Sequence, residues 1–235
     1  MAKRRRSSRP APVMPAAARP RRRAPEPKRR RLPSLRVVLV GLAAVGVVGV
    51  VGLAFIGSAT ARDYSCAELL TAPPDASVAD GFATKSLGQA HVGVGTKIRY
   101  GFCPPTSGGH YNAAGAGPLR PGFYGPDADA GPGGWVHNLE HGYVVALYRC
   151  AEGSCPSDAE LATLRAFAAN GPPTQSAAAC GYRSKVLVAR FDELSTPYAL
   201  LAWDRALLLD AFDEATARDF ASRSIEATAP EPNAC

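Results

Sequence analysis

A run of apolar residues near the N-terminus places the strongest constraint on how this 235-residue chain can fold. From Val37 to Ile56 the sequence is VVLVGLAAVGVVGVVGLAFI, twenty residues without a charged side chain. A helix rises about 1.5 Å per residue, so this run would span roughly 30 Å, the thickness of the hydrocarbon core of a bilayer. We therefore predict one transmembrane helix over residues 37–57.

The residues before this run are strongly basic. Residues 1–36 contain fourteen Lys and Arg against one acid, Glu26, whereas the whole chain carries a formal net charge of +7. The segment is rich in Arg, Pro and Ala and has few large apolar side chains, which predicts a disordered tail. Arginines beside an apolar span favour a cytoplasmic N-terminus and contact with anionic lipid headgroups, an interpretation that we prefer to nucleic-acid binding.

The cysteines agree with an exported C-terminal part. All six lie after the apolar run, as expected of disulfides in an oxidising compartment. Cys150 and Cys155 are close in sequence, and we expect them to form a local bridge. The chain is thus predicted to be a single-pass protein of the cell membrane with an extracytoplasmic domain. The sequence ATA leaves open signal-peptide cleavage after Ala61, although the long apolar and basic segments favour an uncleaved anchor.

The exported part divides into an irregular and a regular half. Residues 58–87 are predicted to be a linker and the start of the ectodomain, and residues 88–235 to form the exported domain. Residues 88–134 are dominated by Gly, Pro, Ala, Asp and Ser, which predicts a long loop. Apolar, β-branched runs predict strands, and three-residue apolar spacing predicts helices. The predicted strands are residues 96–102, 143–149, 184–190 and 198–204, and the predicted helices are residues 157–171 and 213–225.

This order of elements predicts an α+β fold. Ser157 and Glu160 match the capping-box pattern at the start of the first helix, and Asn170 and Gly171 provide its end. We therefore predict a single compact exported domain with a small sheet, two helices and a long Gly/Pro-rich loop, preceded by one transmembrane helix.

The four histidines of the chain are candidate metal ligands. His137 and His141, in WVHNLEHGY, are four residues apart, so one helical turn brings both rings to one face in a chelating arrangement. His110 follows PPTSGG, in which prolines and glycines predict a turn, and His91 lies upstream. Glu140 could be a further ligand, an acceptor that orients an imidazole, or a solvated acid. For each ring the alternative is a hydrogen-bonded, partly buried histidine without metal.

Three segments, YGFCPPTSGGHY, GFYG and VHNLEHGYVVALY, resemble the signatures of a bacterial family, domain of unknown function 3105. The similarity runs from about His91 to Glu231 and includes the LLAWD segment around Trp203 and the APE ending. The resemblance implies a short N-terminal anchor, one exported domain and no established reaction. Gly109 departs from the proline usual in the family and should loosen the loop. Cys103 stands at an often polar position, which leaves open a metal-ligand role beside a disulfide.

Three functions remain open from the sequence, and we favour the first. It is an exported protein that binds Zn²⁺ or Cu²⁺ through the histidines, since imidazole suits both ions. The second is a zinc metallohydrolase, because HNLEH matches an H-x-x-E-H pattern in which Glu140 would activate water. However, Gly133, Gly134 and Gly142 leave at most about two helical turns for it. The third is an envelope module that contacts a partner protein or cell-wall polymer without metal.

Overall fold

The computed structural model describes residues 63–76, 80–150 and 155–235 of the chain. The basic tail and the predicted transmembrane segment, residues 1–57, lie outside the described residues, so their roles stay predictions. Within the described ranges no helix is long and apolar enough to cross a membrane. These same ranges contain ten strands and four helices, which agrees with the predicted α+β class.

The elements follow one another in this order along the described part of the chain. The strands are Tyr64–Cys66 (β1), Phe82–Ala83 (β2), His91–Val92 (β3), Ile98–Tyr100 (β4), His110–Tyr111 (β5), Gly122–Phe123 (β6), Val144–Tyr148 (β7), Val186–Arg190 (β8), Tyr198–Ala202 (β9) and Arg205–Leu209 (β10). The helices are Pro132–Glu140 (α1), Asp158–Ala169 (α2), Gln175–Ala179 (α3) and Glu214–Ser224 (α4).

The largest sheet has six strands in the spatial order β2-β10-β9-β7-β8-β6. β8 runs parallel to both of its neighbours, β7 and β6, whereas β9 is antiparallel to β7 and to β10. Every residue of β7 and β9 is buried, as expected of continuous apolar strands that are covered on both faces. The structure therefore confirms the predicted strands β7, β8 and β9, with slightly shorter bounds.

Alternating side chains along these strands divide the core into two clusters, one on each face of the sheet. On one face Val145 packs in a cluster with Trp135 of α1. We call this the α1 face. On the other, the neighbouring Val144 packs in a cluster with Phe167 of α2 and Phe220 of α4. We call this the α2–α4 face.

Helices α2 and α4 begin where the sequence predicted. The N–H of Ser157 donates to Oε2 of Glu160 at 2.8 Å, and the N–H of Glu160 donates to Oγ of Ser157 at 3.3 Å. This reciprocal pair is the predicted capping box. Asp213 caps α4 by accepting from the N–H of Thr216 at 2.8 Å. Arg223 lies in the last turn of α4, where the helix dipole favours a positive charge.

Some elements differ from the sequence prediction. The predicted strand over residues 198–204 is the first arm of a hairpin, because Asp204 adopts a left-handed conformation with φ of 53° and the chain returns as β10. Aspartate tolerates this conformation, but the turn lacks the Gly or Pro that would have marked it in the sequence. α3 was not predicted, and α1 is longer than the predicted turn.

The segment predicted as a long loop contains short strands with distant partners. β3 pairs with β5 and β4 pairs with β1, both in parallel, and β6 joins the edge of the main sheet. β4 is the predicted strand 96–102 in a shorter form. β1 and β2, from the predicted linker segment 58–87, also pair within the domain. Strands of two or three residues are too short for a recognisable alternation of apolar and polar residues.

All six cysteines form disulfides, as the cysteine count predicted. The expected local bridge, Cys150–Cys155, is present. Cys66 is bonded to Cys103, and Cys180 to Cys235. Because its sulfur is bonded to Cys66, Cys103 offers no thiolate to a metal ion, and the disulfide alternative for this residue is the one confirmed.

Candidate metal centre

Three elements bring three histidines and one glutamate together. β3 and β5 pair with His91 opposite His110, and their ring centroids are 4.8 Å apart. α1 packs against β5 and carries His137 and Glu140, which lie on one helix face because they are three residues apart. The four side chains offer ligand atoms that all lie within 4.8 Å of one another.

Glycines allow α1 to pack closely on β5. A Cβ on Gly133 would stand 2.5 Å from the ring of Tyr111, so a larger residue would push the helix away. The sequence predicted that Gly133 and Gly134 precede the helix, but the structure includes both in its first turn. At the other end Gly142, with φ of 82°, lets the chain leave α1 for β7. Helix α1 is therefore fixed in place by contacts that sequence spacing does not reveal.

The carboxylate of Glu140 lies at the centre of the cluster. Its Oε2 is 3.0 Å from Nε2 of His110, 3.2 Å from Nε2 of His91 and 3.9 Å from Nε2 of His137. Ligand atoms around a tetrahedral zinc ion with bonds of about 2.0–2.1 Å stand roughly 3.3–3.5 Å apart. The three observed distances bracket that separation, so small shifts of the side chains would place all four ligands on one ion.

Backbone carbonyl groups orient two of the imidazoles. Nδ1 of His110 donates to the carbonyl of Gly108 at 2.8 Å, and Nδ1 of His137 donates to the carbonyl of Tyr111 at 2.7 Å. Because a carbonyl oxygen only accepts, the proton of each neutral ring is on Nδ1 and the lone pair on Nε2 is turned toward Glu140. Metal-binding histidines commonly have this arrangement, in which the second ring nitrogen donates to a carbonyl group.

His91 is bound less firmly than the other two rings. Its side chain is 44% exposed, whereas those of His110 and His137 are 0% and 3% exposed. Nδ1 of His91 accepts a long hydrogen bond of 3.4 Å from Asn112, so its Nε2 carries the proton and donates to Glu140. A metal ion would replace this proton. His91 therefore closes the cluster on its solvent side.

Glu140 is buried among the histidines, and the ring of His137 gives it no compensating charge. Its side chain is 4% exposed, and within the described residues its ion-pair contacts are to histidines. Burial lowers the pKa of His137 to about 4, so this ring is uncharged at neutral pH. The 3.0 Å contact between His110 and Glu140 requires a proton or a metal cation between the two lone pairs. The cluster can therefore hold a cation.

His141 belongs to a different group of side chains. Its ring meets that of His137 edge-on at a centroid distance of 4.4 Å, and its Nε2 is 3.6 Å from Oε2 of Glu231. Glu140, His141 and Glu231 form a second set of ligand atoms within 4.8 Å of one another. The four predicted histidines are thus divided between two groups that share Glu140. Glu231 was not among the predicted ligands, because it lies far along the chain from the histidines; its place in the APE ending of the family resemblance was the one hint.

The family of the chain follows from a comparison of its sequence with family models. Residues 91–235 match the model described as "Protein of unknown function (DUF3105)". No curated protein and no solved structure matches the chain. The matched segment begins at His91 and includes all four histidines, Glu140 and Glu231. It covers more than half of the sequence and confirms the resemblance, so the chain belongs to the DUF3105 family of proteins of unknown function.

Proposed function

We propose that this protein binds a transition-metal ion, Zn²⁺ or Cu²⁺, through His91, His110, His137 and Glu140. Imidazole nitrogens suit both ions, and a carboxylate oxygen completes a set of ligands found in zinc proteins. Four protein ligands fill a tetrahedral coordination shell. The bound ion would lie between α1 and the β3–β5 pair and would connect them.

One observation carries this proposal, the burial of Glu140 against three Nε2 atoms. In a histidine cluster that only filled space, each buried ring nitrogen would have its own donor or acceptor. Here the carbonyls of Gly108 and Tyr111 turn the lone pairs of His110 and His137 toward an acceptor. A divalent cation at that point would satisfy these lone pairs and compensate the buried carboxylate.

We also propose that this domain lies outside the cytoplasm and is attached to the cell membrane by residues 37–57. The basic residues of segment 1–36 support a cytoplasmic N-terminus that contacts anionic lipids. Three disulfides support an oxidising compartment. Fusing a topology reporter to the C-terminus tests this orientation. Reporter activity that is found only in the cytoplasm would contradict it.

The geometry gives less support to the metallohydrolase hypothesis. That mechanism requires His137 and His141 to bind one ion while Glu140 stays free to activate water. Instead, the ligand atoms of His137 lie with those of His91 and His110, and Glu140 lies among them as a ligand would. The hypothesis of a metal-free interaction module predicts instead that the purified chain binds neither ion and is equally stable with and without them.

The test is the metal content and affinity of the purified full-length chain, produced without a polyhistidine tag. Elemental analysis should find at least about one Zn²⁺ or Cu²⁺ per chain. In calorimetric titration, His110→Ala and His137→Ala should each weaken binding by more than about 100-fold, beyond the loss typical of an outer hydrogen-bond partner. His91→Ala should have a smaller effect, because this ring is half exposed and less well oriented.

A matched control uses an acidic residue outside both groups. Glu214 lies in the first turn of α4, and Glu214→Gln should leave the affinity unchanged. Metal binding should also raise the free energy of unfolding, by about 2.7 kcal/mol when the free ion is at 100 times its Kd. An affinity that is the same in the His110→Ala/His137→Ala double variant as in the unchanged protein would refute the proposed site.

A further inference from the structure

A second set of ligand atoms adjoins the four-ligand site. It consists of a carboxylate oxygen of Glu140, a ring nitrogen of His141 and a carboxylate oxygen of Glu231, all within 4.8 Å of one another. His141 directly follows the last residue of α1, and its Nε2 is 3.6 Å from Oε2 of Glu231. This separation is too long for a hydrogen bond, but it is close to the roughly 3.3–3.5 Å between two ligand atoms of one tetrahedral ion.

The imidazole of His141 is buried without well-formed hydrogen bonds. Its side chain is 9% exposed. Within the part of the chain that the structure describes, Nδ1 makes no hydrogen bond of normal geometry, although the backbone of Cys235 lies near the ring, and Nε2 stops short of Glu231. Buried polar groups normally have a partner, and an exception in a native protein indicates the place of a water or an ion. The ring of His141 is therefore a candidate ligand for an ion bound by this second set of side chains.

Backbone contacts hold Glu231 at the end of α1. Its N–H donates to the carbonyl of Glu140 at 3.0 Å. The ammonium of Lys185, which is fully buried, donates to the carbonyls of His141 and Pro232 at 2.9 Å and 2.6 Å. These bonds fix the C-terminal segment against the helix, while the side chain of Glu231 stays 55% exposed. Its carboxylate can thus turn onto an ion without a change in the backbone.

The charges around this group are compatible with a cation. The ammonium of Lys185 is paired with Oε1 of Glu226 at 3.4 Å, so its charge is compensated. The disulfide Cys180–Cys235 ties the end of the chain to the residue after α3. The two carboxylates of Glu140 and Glu231 are then left to offset part of the positive charge of bound metal.

We infer that Glu140 bridges two transition-metal ions, the first in the four-ligand site and the second bound by Glu140, His141 and Glu231. This inference rests on the proposed function, because the bridge requires the first ion. Metal ions in two-metal protein sites lie about 3.5–4 Å apart, a separation that one carboxylate spans. The single shared residue explains why the two groups of ligands meet at the last turn of α1.

The two ions differ in the ligands that the protein supplies. The first ion has four protein ligands, and the second has three, which leaves a coordination position open. The exposed side of Glu231 puts this position at the solvent edge of the site. Water or a small anion takes the open position, whereas the first ion connects α1 to β3 and β5.

Titration of the full-length chain with Cu²⁺ tests this inference, with elemental analysis and electron paramagnetic resonance as the measurements. We expect about two Cu²⁺ per chain, and a broadened resonance with a half-field transition, because two Cu²⁺ ions about 3.5–4 Å apart interact magnetically. Glu231→Gln and His141→Ala should each reduce the content to about one ion and leave the resonance of an isolated Cu²⁺ without a half-field transition. Glu68→Gln changes an exposed acid outside both groups and should retain both ions.

The possible outcomes separate this inference from the proposed function. A content of about one ion in the unchanged protein, with no half-field transition and no response to Glu231→Gln, would overturn the bridge and keep the four-ligand site. Two ions without a half-field transition would also overturn it, because the ions would then be too far apart for a carboxylate bridge. Absence of both bound copper and bound zinc would overturn the inference and the proposed function together. Since Glu231 is exposed, thermal unfolding of metal-free Glu231→Gln should match that of the unchanged chain, which verifies that the variant is folded.

Discussion

On the α2–α4 face of the main sheet, two capped helices cover the strands with apolar side chains such as Phe167 and Phe220. On the α1 face, a helix with glycines in its first turn, two short strand pairs and a disulfide surround a cluster of buried polar groups. Both faces bury apolar residues against the same strands, but only the α1 face also buries Glu140 and His110.

The difference separates the part that stabilises the fold from the part that contains the candidate metal site. The α2–α4 face is held by apolar burial, which is largely independent of pH and of metal. The α1 face depends on hydrogen bonds, a disulfide and the charge state of histidines, so its stability should respond to metal, protons and reductant. Variants that change one face alone therefore test whether the two faces are independent.

The largest effect should come from removing a large side chain on the α2–α4 face. Phe167 is fully buried and contacts Phe212 edge-on at a centroid distance of 5.6 Å. Phe167→Ala should lower the free energy of unfolding by about 3–5 kcal/mol through lost burial and a cavity. Urea unfolding measures the loss, and metal content of the folded fraction should stay unchanged. A simultaneous loss of metal would show that the two faces are not independent.

The next effect should come from the disulfide on the α1 face. Cys66–Cys103 closes 37 residues of chain, whereas Cys150–Cys155 closes 5. By loop entropy, replacing the first pair by alanines should cost about 4 kcal/mol and replacing the second about 2 kcal/mol. Only the first replacement should also weaken metal binding, because this disulfide and the β1–β4 pair lie on the α1 face together with the candidate metal site. Equal affinities in both double variants would contradict this assignment.

A smaller effect should appear as acid destabilisation of the metal-free chain. Burial lowers the pKa of His137 to about 4 in the folded state, against about 6.5 in an unfolded chain. Between these values the unfolded state binds the extra proton, so stability is full above pH ~6.5 and falls as the pH drops toward ~4. Urea unfolding with a chelator present should show a loss of about 1–2 kcal/mol from pH 7 to pH 5.

Burial lowers the pKa of His141 as well, which acts in the same direction. His137→Gln cannot titrate, so it should reduce the slope of stability with pH and provides the control. A metal-free chain that is equally stable at pH 7 and pH 5 would indicate that His137 titrates normally and is not buried as described.

The smallest effect should come from the capping box of α2. Ser157→Ala removes the acceptor for the N–H of Glu160 and should cost about 1 kcal/mol. Thermal unfolding measures this loss, and metal affinity should not change because α2 lies on the other face of the sheet. Ser222→Ala, an exposed position in α4, is a comparison variant for which a near-neutral effect is expected. A loss of metal affinity in Ser157→Ala would contradict the separation of the faces.

The sequence alone predicted the regular elements and part of the site. Strands β7, β8 and β9 are continuous apolar runs, and Ser157 and Glu160 mark the start of α2, so local patterns were sufficient. The local bridge Cys150–Cys155 and the four histidines as candidate ligands also came from the sequence. Each of these inferences depends on residues that are close together in the chain.

Tertiary structure decided how those residues are grouped. Helical spacing predicted that His137 and His141 form a chelating pair. In the structure, the parallel pairing of β3 with β5 and the packing of α1 on Tyr111 place His137 beside His91 and His110 instead. Likewise, the C-terminal segment brings Glu231 to His141 through backbone bonds to α1 and Lys185. Such long-range contacts depend on loop geometry and packing in three dimensions, and these leave no periodic pattern in the sequence.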